Sequence, residues 1–328
     1  MILVIGGAGY IGSHTVYELI EQGFKVGIVD NLQTGHRSAL HPQAAFFEGD
    51  IRDMDFLDRL FFSEDIEAVI HFAANSLVGV SMTEPLEYYN NNVHGTEVLL
   101  TAMKNHGVGK IVFSSSAAAY GAAENQIILE TDPTEPTNPY GETKLAMEKM
   151  MKWCDRAYGM KYVALRYFNA AGAGFGGVIG EDHNPETHLI PLILEVALGK
   201  REKISIFGDD YDTPDGTCIR DYTYVVDLAR AHILALKYLM DGNKSDVFNL
   251  GNGEGFSVTE MIEAAREVTG HAIPETVCAR RAGDPPRLVA SSQKAQKVLG
   301  WKPMHPDVKE IIASAWAWHQ SHPQGYPN

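Results

Sequence analysis

Tyr140 and Lys144 stand four residues apart, just behind Asn138 and Pro139. Proline in the first turn suits a helix start, and the spacing puts phenol and amine on one helical face. That face continues through Met147, Met151, Cys154 and Tyr158, so it is apolar and predicted to turn inward, where a lysine needs polar partners. A free phenol titrates near about 10 and is a poor base at neutral pH. A neighbouring positive charge favours the phenolate, which can then take a proton from a hydroxyl group. The chemistry expected of this pair is the oxidation of an alcohol, with Tyr140 as the base and Lys144 as its electrostatic partner. Ser116, at the end of the apolar run that precedes this helix, is the candidate to hold the reacting oxygen and relay the proton.

Oxidation needs a hydride acceptor, and the start of the chain supplies its cradle. Gly6-Gly7-Ala8-Gly9-Tyr10-Ile11-Gly12 follows the apolar run Ile2 to Ile5 and opens a segment carrying Val16, Leu19 and Ile20. Asp30 ends the next apolar run, Val26 to Val29. Strand, glycine turn, helix, strand and acid form the layout that grips a dinucleotide: the glycines allow the tight turn, the approach of the pyrophosphate and close helix packing. The helix N-terminus offers free N–H groups to the phosphates. Asp30 would bond the adenosine ribose hydroxyls and repel a 2′-phosphate, so NAD is expected rather than NADP; His36 and Arg37 are the nearby cations that a 2′-phosphate could use. An oxidised nicotinamide would add a second positive charge beside Tyr140.

Elements must bring these residues together. Apolar runs at 2–5, 26–29, 44–47, 68–72, 111–113 and 162–168 read as strands, and helical patterns lie near 11–22, 53–62, 84–106 and 139–158. This alternation predicts an α/β fold with a doubly wound parallel sheet. Ligands bind off the carboxyl ends of such strands. The residues just past each strand are the glycine loop, Asp30-Asn31, Asp50-Ile51, Ala73 to Ser76, Ser114 to Ser116, and Asn169. The expected division is an NAD-binding Rossmann domain over 1–170, to which a helix and strand near 222–250 return, and a smaller α/β substrate domain over 171–328. Within the latter, Gly172 to Gly180 reads as a loop, and helices are expected at 190–199, 257–270 and 291–299.

Composition narrows the class. The 328 residues are 45% hydrophobic and 21% charged, as in globular proteins with a large core. A net charge of −15 argues against a nucleic-acid partner, which needs a basic face. Cys154, Cys218 and Cys278 are an odd number in no metal or redox spacing, which favours a reducing compartment. No basic leader precedes the first strand, and the apolar stretch Leu189 to Leu198, interrupted by Glu195, is too short to cross a bilayer. A cytoplasmic protein without a membrane partner is expected.

The glycine turn, the serine run and Tyr140-x-x-x-Lys144 resemble the extended short-chain dehydrogenase/reductase superfamily. Gly9-Tyr10-Ile11-Gly12-Ser13-His14, Val29-Asp30-Asn31-Leu32, His71-Phe72-Ala73-Ala74, Tyr88-Tyr89-Asn90-Asn91-Asn92-Val93, Arg166-Tyr167-Phe168-Asn169 and Gly216-Thr217-Cys218-Ile219-Arg220-Asp221-Tyr222 resemble, more narrowly, its UDP-glucose 4-epimerase family, over nearly the whole chain. That resemblance implies NAD held through a full cycle and interconversion of UDP-glucose and UDP-galactose. It implies NAD contacts at Tyr10, Ile11, Asp30, Asn31, Leu32, Gln33, Thr34, Gly35, Asp50, Ile51, Phe72, Ala73, Ala74, Ser76, Asn91, Ser114, Ser116, Tyr140, Lys144 and Phe168. The implied UDP-sugar contacts are Asn169, His188, Leu189, Ser205 to Phe207, Arg220, and Arg281 to Asp284, with Ser116 and Tyr140 at the sugar. Arg220 and Arg281 suit a diphosphate through paired donors. Ser76 and His188 stand where many relatives carry lysine and asparagine. Leu288 stands where some carry a large aromatic that crowds the sugar's 2-substituent, so UDP-GlcNAc and UDP-GalNAc are expected as further substrates unless Arg287 fills the space. The resemblance also implies a homodimer through the helices near 84–106 and 139–158; Met147, Met150, Met151 and Trp153 fit such a contact and equally fit burial within one chain.

Other readings remain. A sugar-nucleotide 4,6-dehydratase would want an acid near the serine, but Ser116 is followed by Ala117-Ala118-Ala119-Tyr120. A reductase that releases its nicotinamide each turn differs by needing added cofactor. A non-catalytic NAD-binding regulator would be expected to lack the tyrosine or lysine. Glu181, Asp182, His183, Glu186 and His188 lack a helical or zinc-type spacing; they are expected to line the sugar site and to hold no metal. Asp209-Asp210 reads as a solvated turn.

Overall fold

The computed structural model describes residues 1–122, 127–281 and 284–327. Its first strands are short, mostly apolar runs: β1 (Ile2–Ile5), β2 (Val26–Asp30), β3 (Ala45–Glu48), β4 (Ala68–His71), β5 (Lys110–Ser116) and β6 (Lys161–Tyr167). All but the half-exposed edge strand β3 are largely buried on both faces, as parallel strands under helices must be. Between them lie α1 (Tyr10–Glu21), α2 (Met54–Ser63), α3 (Val78–Thr83), α4 (Pro85–Tyr88), α5 (Gly95–Asn105) and α6 (Pro139–Tyr158). After β6 come β7 (Asn169–Ala171), α7 (Leu189–Ala197), β8 (Ile204–Phe207), β9 (Ile219–Arg220), β10 (Tyr222–Tyr224), α8 (Val225–Met240) and β11 (Asp246–Asn249). The chain ends with β12 (Phe256–Ser257), α9 (Val258–Thr269), β13 (Glu275–Cys278), β14 (Arg287–Leu288), α10 (Gln293–Leu299) and α11 (Val308–Ser321).

Seven strands form one parallel sheet in the order β11-β6-β5-β4-β1-β2-β3. The expected doubly wound α/β sheet is therefore present. Alternation along β1 sends Ile2 and Val4 into a core shared with α1 and α8, and Leu3 and Ile5 into one shared with α2, α5 and α6. The order reverses between β1 and β4, the switch point where such folds bind ligands. A third core lies outside the sheet, where α7, α9 and α11 pack with β8. Three small sheets accompany it: β10 with β7, β12-β9-β14, and β13 with β8.

One expected helix is subdivided, and one helix is new. The helical span at 84–106 is divided into α4, a π-helical turn (Tyr89–His94) and α5. The consecutive Asn90, Asn91 and Asn92 fall in that turn, where polar side chains, two of them buried, turn to partners across the site. α11 was not expected from the sequence; its Ile311, Ile312, Ala315 and Trp316 are buried against the third core, so tertiary packing defines it. The three cysteines are free.

Candidate active site

The loops after β1 and β4 meet at the switch point. A Cβ on Gly6, at φ +79°, would lie 2.6 Å from the Ala73 nitrogen, and one on Gly12 would lie 2.1 Å from the Gly6 carbonyl oxygen. The protein's own backbone thus excludes side chains at these two positions. Gly9 differs: its Cβ would meet only the Gly6 oxygen at 3.5 Å. Internal packing does not demand glycine there, whereas a pyrophosphate approaching the N-terminus of α1 does. The cradle fits a dinucleotide.

Asp30 ends β2 beside the glycine loop. Its Oδ2 accepts the Ala8 N–H at 3.0 Å and its Oδ1 accepts the Leu32 N–H at 2.9 Å. The second bond holds Leu32 in the left-handed region, φ 58°, a conformation that a leucine adopts only when its surroundings fix it. Burial is the largest influence on Asp30 and pushes its carboxyl up, against the two backbone bonds and His36. Arg37 is paired with Glu48, and His36 Nε2 lies 2.9 Å from the Asp182 carbonyl. Both cations that could have met a 2′-phosphate are engaged. Asn31 Nδ2 donates to Asp50 Oδ2 at 3.0 Å, joining the ends of β2 and β3. Ile51 is buried, and a Cβ on Gly95 would strike its side chain at 2.6 Å, so α5 crosses close behind.

At the carboxyl end of β5 the catalytic candidates meet. Asn138 caps α6 by accepting the Gly141 N–H at 2.9 Å. A Cβ on Gly141 would lie 2.4 Å from the Ala118 carbonyl, so only glycine lets this helix start press against the turn after Ser116. The Ser116 hydroxyl stands near enough to the Tyr140 phenol to favour its ionised form. Lys144, 3% exposed, donates to the Ser114 carbonyl at 2.8 Å, and its Nζ lies 5.0 Å from the Phe113 ring centroid and 5.9 Å from that of Tyr140. The inward apolar face of α6 holds for its first turns, where Met147 and Met151 are fully buried, and is corrected beyond them: Cys154 is half-buried and Tyr158 is 60% exposed, as the helix runs out past the core. Burial raises the Tyr140 phenol, opposed by Ser116. Burial also lowers the Lys144 ammonium to about 7, opposed by Glu148. Without the positive charge of an oxidised nicotinamide, each of these buried groups leans towards its neutral form.

Several residues organise the site through contacts that the sequence reading did not assign. Asn92, in the π-helical turn, accepts the Asn75 N–H at 2.7 Å and donates to the Asn75 carbonyl and to Thr143 Oγ1 at 3.0 Å each. It ties the loop after β4 to α6, and the neighbouring Asn91 donates to it at 3.1 Å. Glu148 accepts from Ser115 Oγ at 2.5 Å and from Arg166 Nε at 2.8 Å. Only the asparagine run hinted at any of this.

The implied substrate residues fall into three places. β9 and β14 pair Arg220 with Leu288, and Leu288 packs with Phe168 on Ala117, Tyr120 and Ile128, next to Ser116. Arg287, the possible space-filler, donates instead to the Glu254 carbonyl at 2.6 Å. Arg220 gives one terminal nitrogen to Asp284 at 2.6 Å and the other to the Ile219 carbonyl at 2.8 Å. Asn169 donates to the Asp221 carbonyl at 2.9 Å. Ser205 and Phe207 lie on β8, where Arg281 covers the Phe207 ring at 4.1 Å; residues 282 and 283 lie outside the described set. His188, before Leu189 at the start of α7, is turned to Glu181 with its Nδ1 2.6 Å from Oε1. Asp209 and Asp210 are exposed, as a solvated turn should be, and Asp210 pairs at the surface with Arg280 at 2.6 Å.

A switch-point glycine cradle and an inward tyrosine, lysine and serine on a parallel sheet define an extended short-chain dehydrogenase/reductase. The NAD dependent epimerase/dehydratase family matches residues 2–251. The UDP-glucose 4-epimerase of Halalkalibacterium halodurans is 60% identical over 99% of this chain and 97% of its own. A crystal structure of a UDP-glucose 4-epimerase superposes with a TM-score of 0.98 at 60% identity, over 100% of this chain and 99% of that one. The Bifidobacterium longum UDP-glucose 4-epimerase, solved with NAD+ and UDP, superposes with a TM-score of 0.93 at 40% identity, over 99% of both chains. This chain belongs to the NAD dependent epimerase/dehydratase family and, within it, to the UDP-glucose 4-epimerases.

Proposed function

We propose that this chain interconverts UDP-glucose and UDP-galactose by oxidising and re-reducing C4 of the sugar, through a 4-keto sugar, with NAD retained throughout. The observation that carries the reading is the meeting of Tyr140, Ser116 and Lys144 at the carboxyl edge of β5, with Leu288 packed on the turn beside them. NAD, when bound, supplies the hydride acceptor, returns the same hydride, and brings a positive charge beside the phenol. The glycine loop would hold its pyrophosphate, Asp30 its adenosine ribose and Lys144 its nicotinamide ribose. Tyr140 takes the C4 hydroxyl proton, directly or through Ser116 Oγ, and gives it back to the keto oxygen. Because the ketone must present both faces, the site holds the diphosphate firmly and the sugar loosely. Arg220 and Arg281 supply that anchor, with Phe207 and Ser205 at the nucleotide and Asn169 at the sugar. For Arg220, the diphosphate takes over donors now turned to Asp284 and Ile219.

The finer parts of the reading are a UDP-sugar domain made of most of 171–328, activity on N-acetylated sugars through the space beside Leu288, a homodimer and a cytoplasmic location. Leu86 and Trp153 support the dimer: they lie on the two helices implied in it and are 82% and 63% exposed. No helix among the described residues is long and apolar enough to cross a membrane. The test is incubation with UDP-galactose and with UDP-GalNAc separately, without added NAD, followed by product identification. UDP-glucose and UDP-GlcNAc are the expected products. Turnover that requires added NAD and releases NADH in proportion to product would replace the epimerase with an oxidoreductase that oxidises the sugar and releases its reduced nicotinamide each turn.

A further inference from the structure

Outside the reacting residues, a short loop gathers two imidazoles and two carboxylates. Donor atoms from Glu181, His183, Glu186 and His188 all lie within 4.8 Å of one another. Their spacing in the chain, two, three and two residues apart, fits no helix, and this is why the sequence pointed away from a metal. The loop folds back between His183 and Glu186, so the two halves face each other.

Distances within the cluster have the scale of a coordination shell. A tetrahedral Zn²⁺ with bonds of about 2.0–2.1 Å sets its ligand atoms about 3.3 Å apart. His183 Nδ1 lies 3.3 Å from Glu181 Oε1 and 3.6 Å from Glu186 Oε2. His188 Nδ1 lies 3.5 Å from Glu186 Oε1 and 2.6 Å from Glu181 Oε1. Only the last of these must open for an ion to enter.

A second observation is independent of spacing. The Glu181 side chain is 5% exposed, yet its Oε1 has no partner with hydrogen-bond geometry, and neither has the buried His183 Nδ1. The atoms approach each other without pointing along N–H···O lines, as ligands do around a common centre. A buried carboxylate left so is costly unless a cation meets it. Glu186 Oε1 is oriented from behind by the N–H groups of Thr187 and His188, at 2.6 and 2.7 Å, the outer-shell support that fixes metal ligands. A cavity of about 240 Å³, lined also by Glu195, His319 and His322, gives access from solvent.

We propose that Glu181, His183, Glu186 and His188 bind one divalent transition-metal ion, Zn²⁺ by the match of imidazole and carboxylate donors, as a structural clamp. The loop it would fix is already tied to the dinucleotide cradle. The Asp182 carbonyl meets His36, Asp182 Oδ2 accepts the Tyr326 N–H at 2.8 Å, and the His183 ring stands 6.2 Å from that of Tyr10. The ion holds the 181–188 segment against α1 and the loop after β2; no step of the sugar chemistry passes through it. This stands apart from the epimerase reading.

Tag-free full-length protein is stripped with a chelator, incubated with ZnCl₂, desalted and assayed for zinc by mass spectrometry, beside His183→Gln and Glu181→Gln. The expected result is about one zinc per wild-type chain and less than about a tenth of that in each variant. Zinc-free wild type, its histidines holding protons instead, overturns the proposal, and so does equal zinc in wild type and His183→Gln. Should the variants fail to fold, Co²⁺ added to stripped wild type decides: the visible absorption of a four-coordinate site supports the clamp, and a spectrum of hexaaqua Co²⁺ defeats it.

Discussion

At the residue scale, Tyr140 and Leu288 bear the sharpest consequences. Tyr140→Phe removes the only oxygen of that side chain and leaves the ring to pack. If the phenol is the general base, turnover of UDP-galactose falls by roughly 10²–10⁴-fold while bound NAD, read by absorbance, is unchanged. Wild-type turnover in this variant would disprove the assignment. Leu288 sits opposite Arg220 in a strand pair and against the turn after Ser116. Leu288→Tyr narrows the space beside the sugar, so kcat/KM for UDP-GalNAc drops by at least about 10-fold, the loss expected when a pocket rejects bulk, while UDP-galactose is spared. Equal losses on both sugars would show that Leu288 does not read the 2-substituent.

At the element scale, α6 joins the chemistry to the sheet. Its N-terminus delivers Tyr140 because Gly141 can touch the Ala118 carbonyl, and two turns later Glu148 binds Ser115 of β5 and Arg166 of β6. Glu148 and Arg166 are both 6% exposed in their side chains. Glu148→Ala strands a buried guanidinium, a change that costs about 3–5 kcal/mol, measured as a shift in the urea midpoint. It also removes the group that holds the Lys144 ammonium up, so Lys144 loses its charge at lower pH. A midpoint unchanged within error would mean that Arg166 finds another partner.

At the scale of the whole molecule, acid stability and assembly can be checked. His14, His71 and His232 are fully buried, and burial lowers them to about 4, 3 and 4. His14 is held neutral by geometry, with Nδ1 2.7 Å from the Tyr10 carbonyl and Nε2 accepting the Gly174 N–H at 3.0 Å. These residues take up protons below about 6.5 only when the chain unfolds, so their share of stability is present above that pH and is lost as pH falls towards 4. His232→Phe removes one such site. Between pH 6.5 and 4 its unfolding free energy should fall less steeply than that of wild type, by up to about 1.4 kcal/mol per pH unit, read from urea curves at several pH values. Parallel curves would refute the titration. For assembly, Trp153→Glu places a charge on an exposed apolar surface and should convert a dimer to monomer in sedimentation; a dimer that survives excludes that helix from the contact.

The amino-acid order by itself specified the parallel sheet, the dinucleotide cradle and the inward couple of Tyr140 and Lys144. Each rests on local rules: apolar runs set strands, glycines set the turn, and a four-residue step sets a face. What lay beyond it was set by contacts between distant segments. Asn92 reaches Asn75 and Thr143, Glu148 reaches Arg166, α11 exists by packing on the third core, and Arg287 turns away to Glu254. Likewise, the sequence offered a tyrosine and a lysine as a charged pair, but the depth of their burial pushes each towards its neutral form. The convergence of Glu181, His183, Glu186 and His188 follows no period, because a loop's side chains are aimed by its path through space and not by their spacing along the chain.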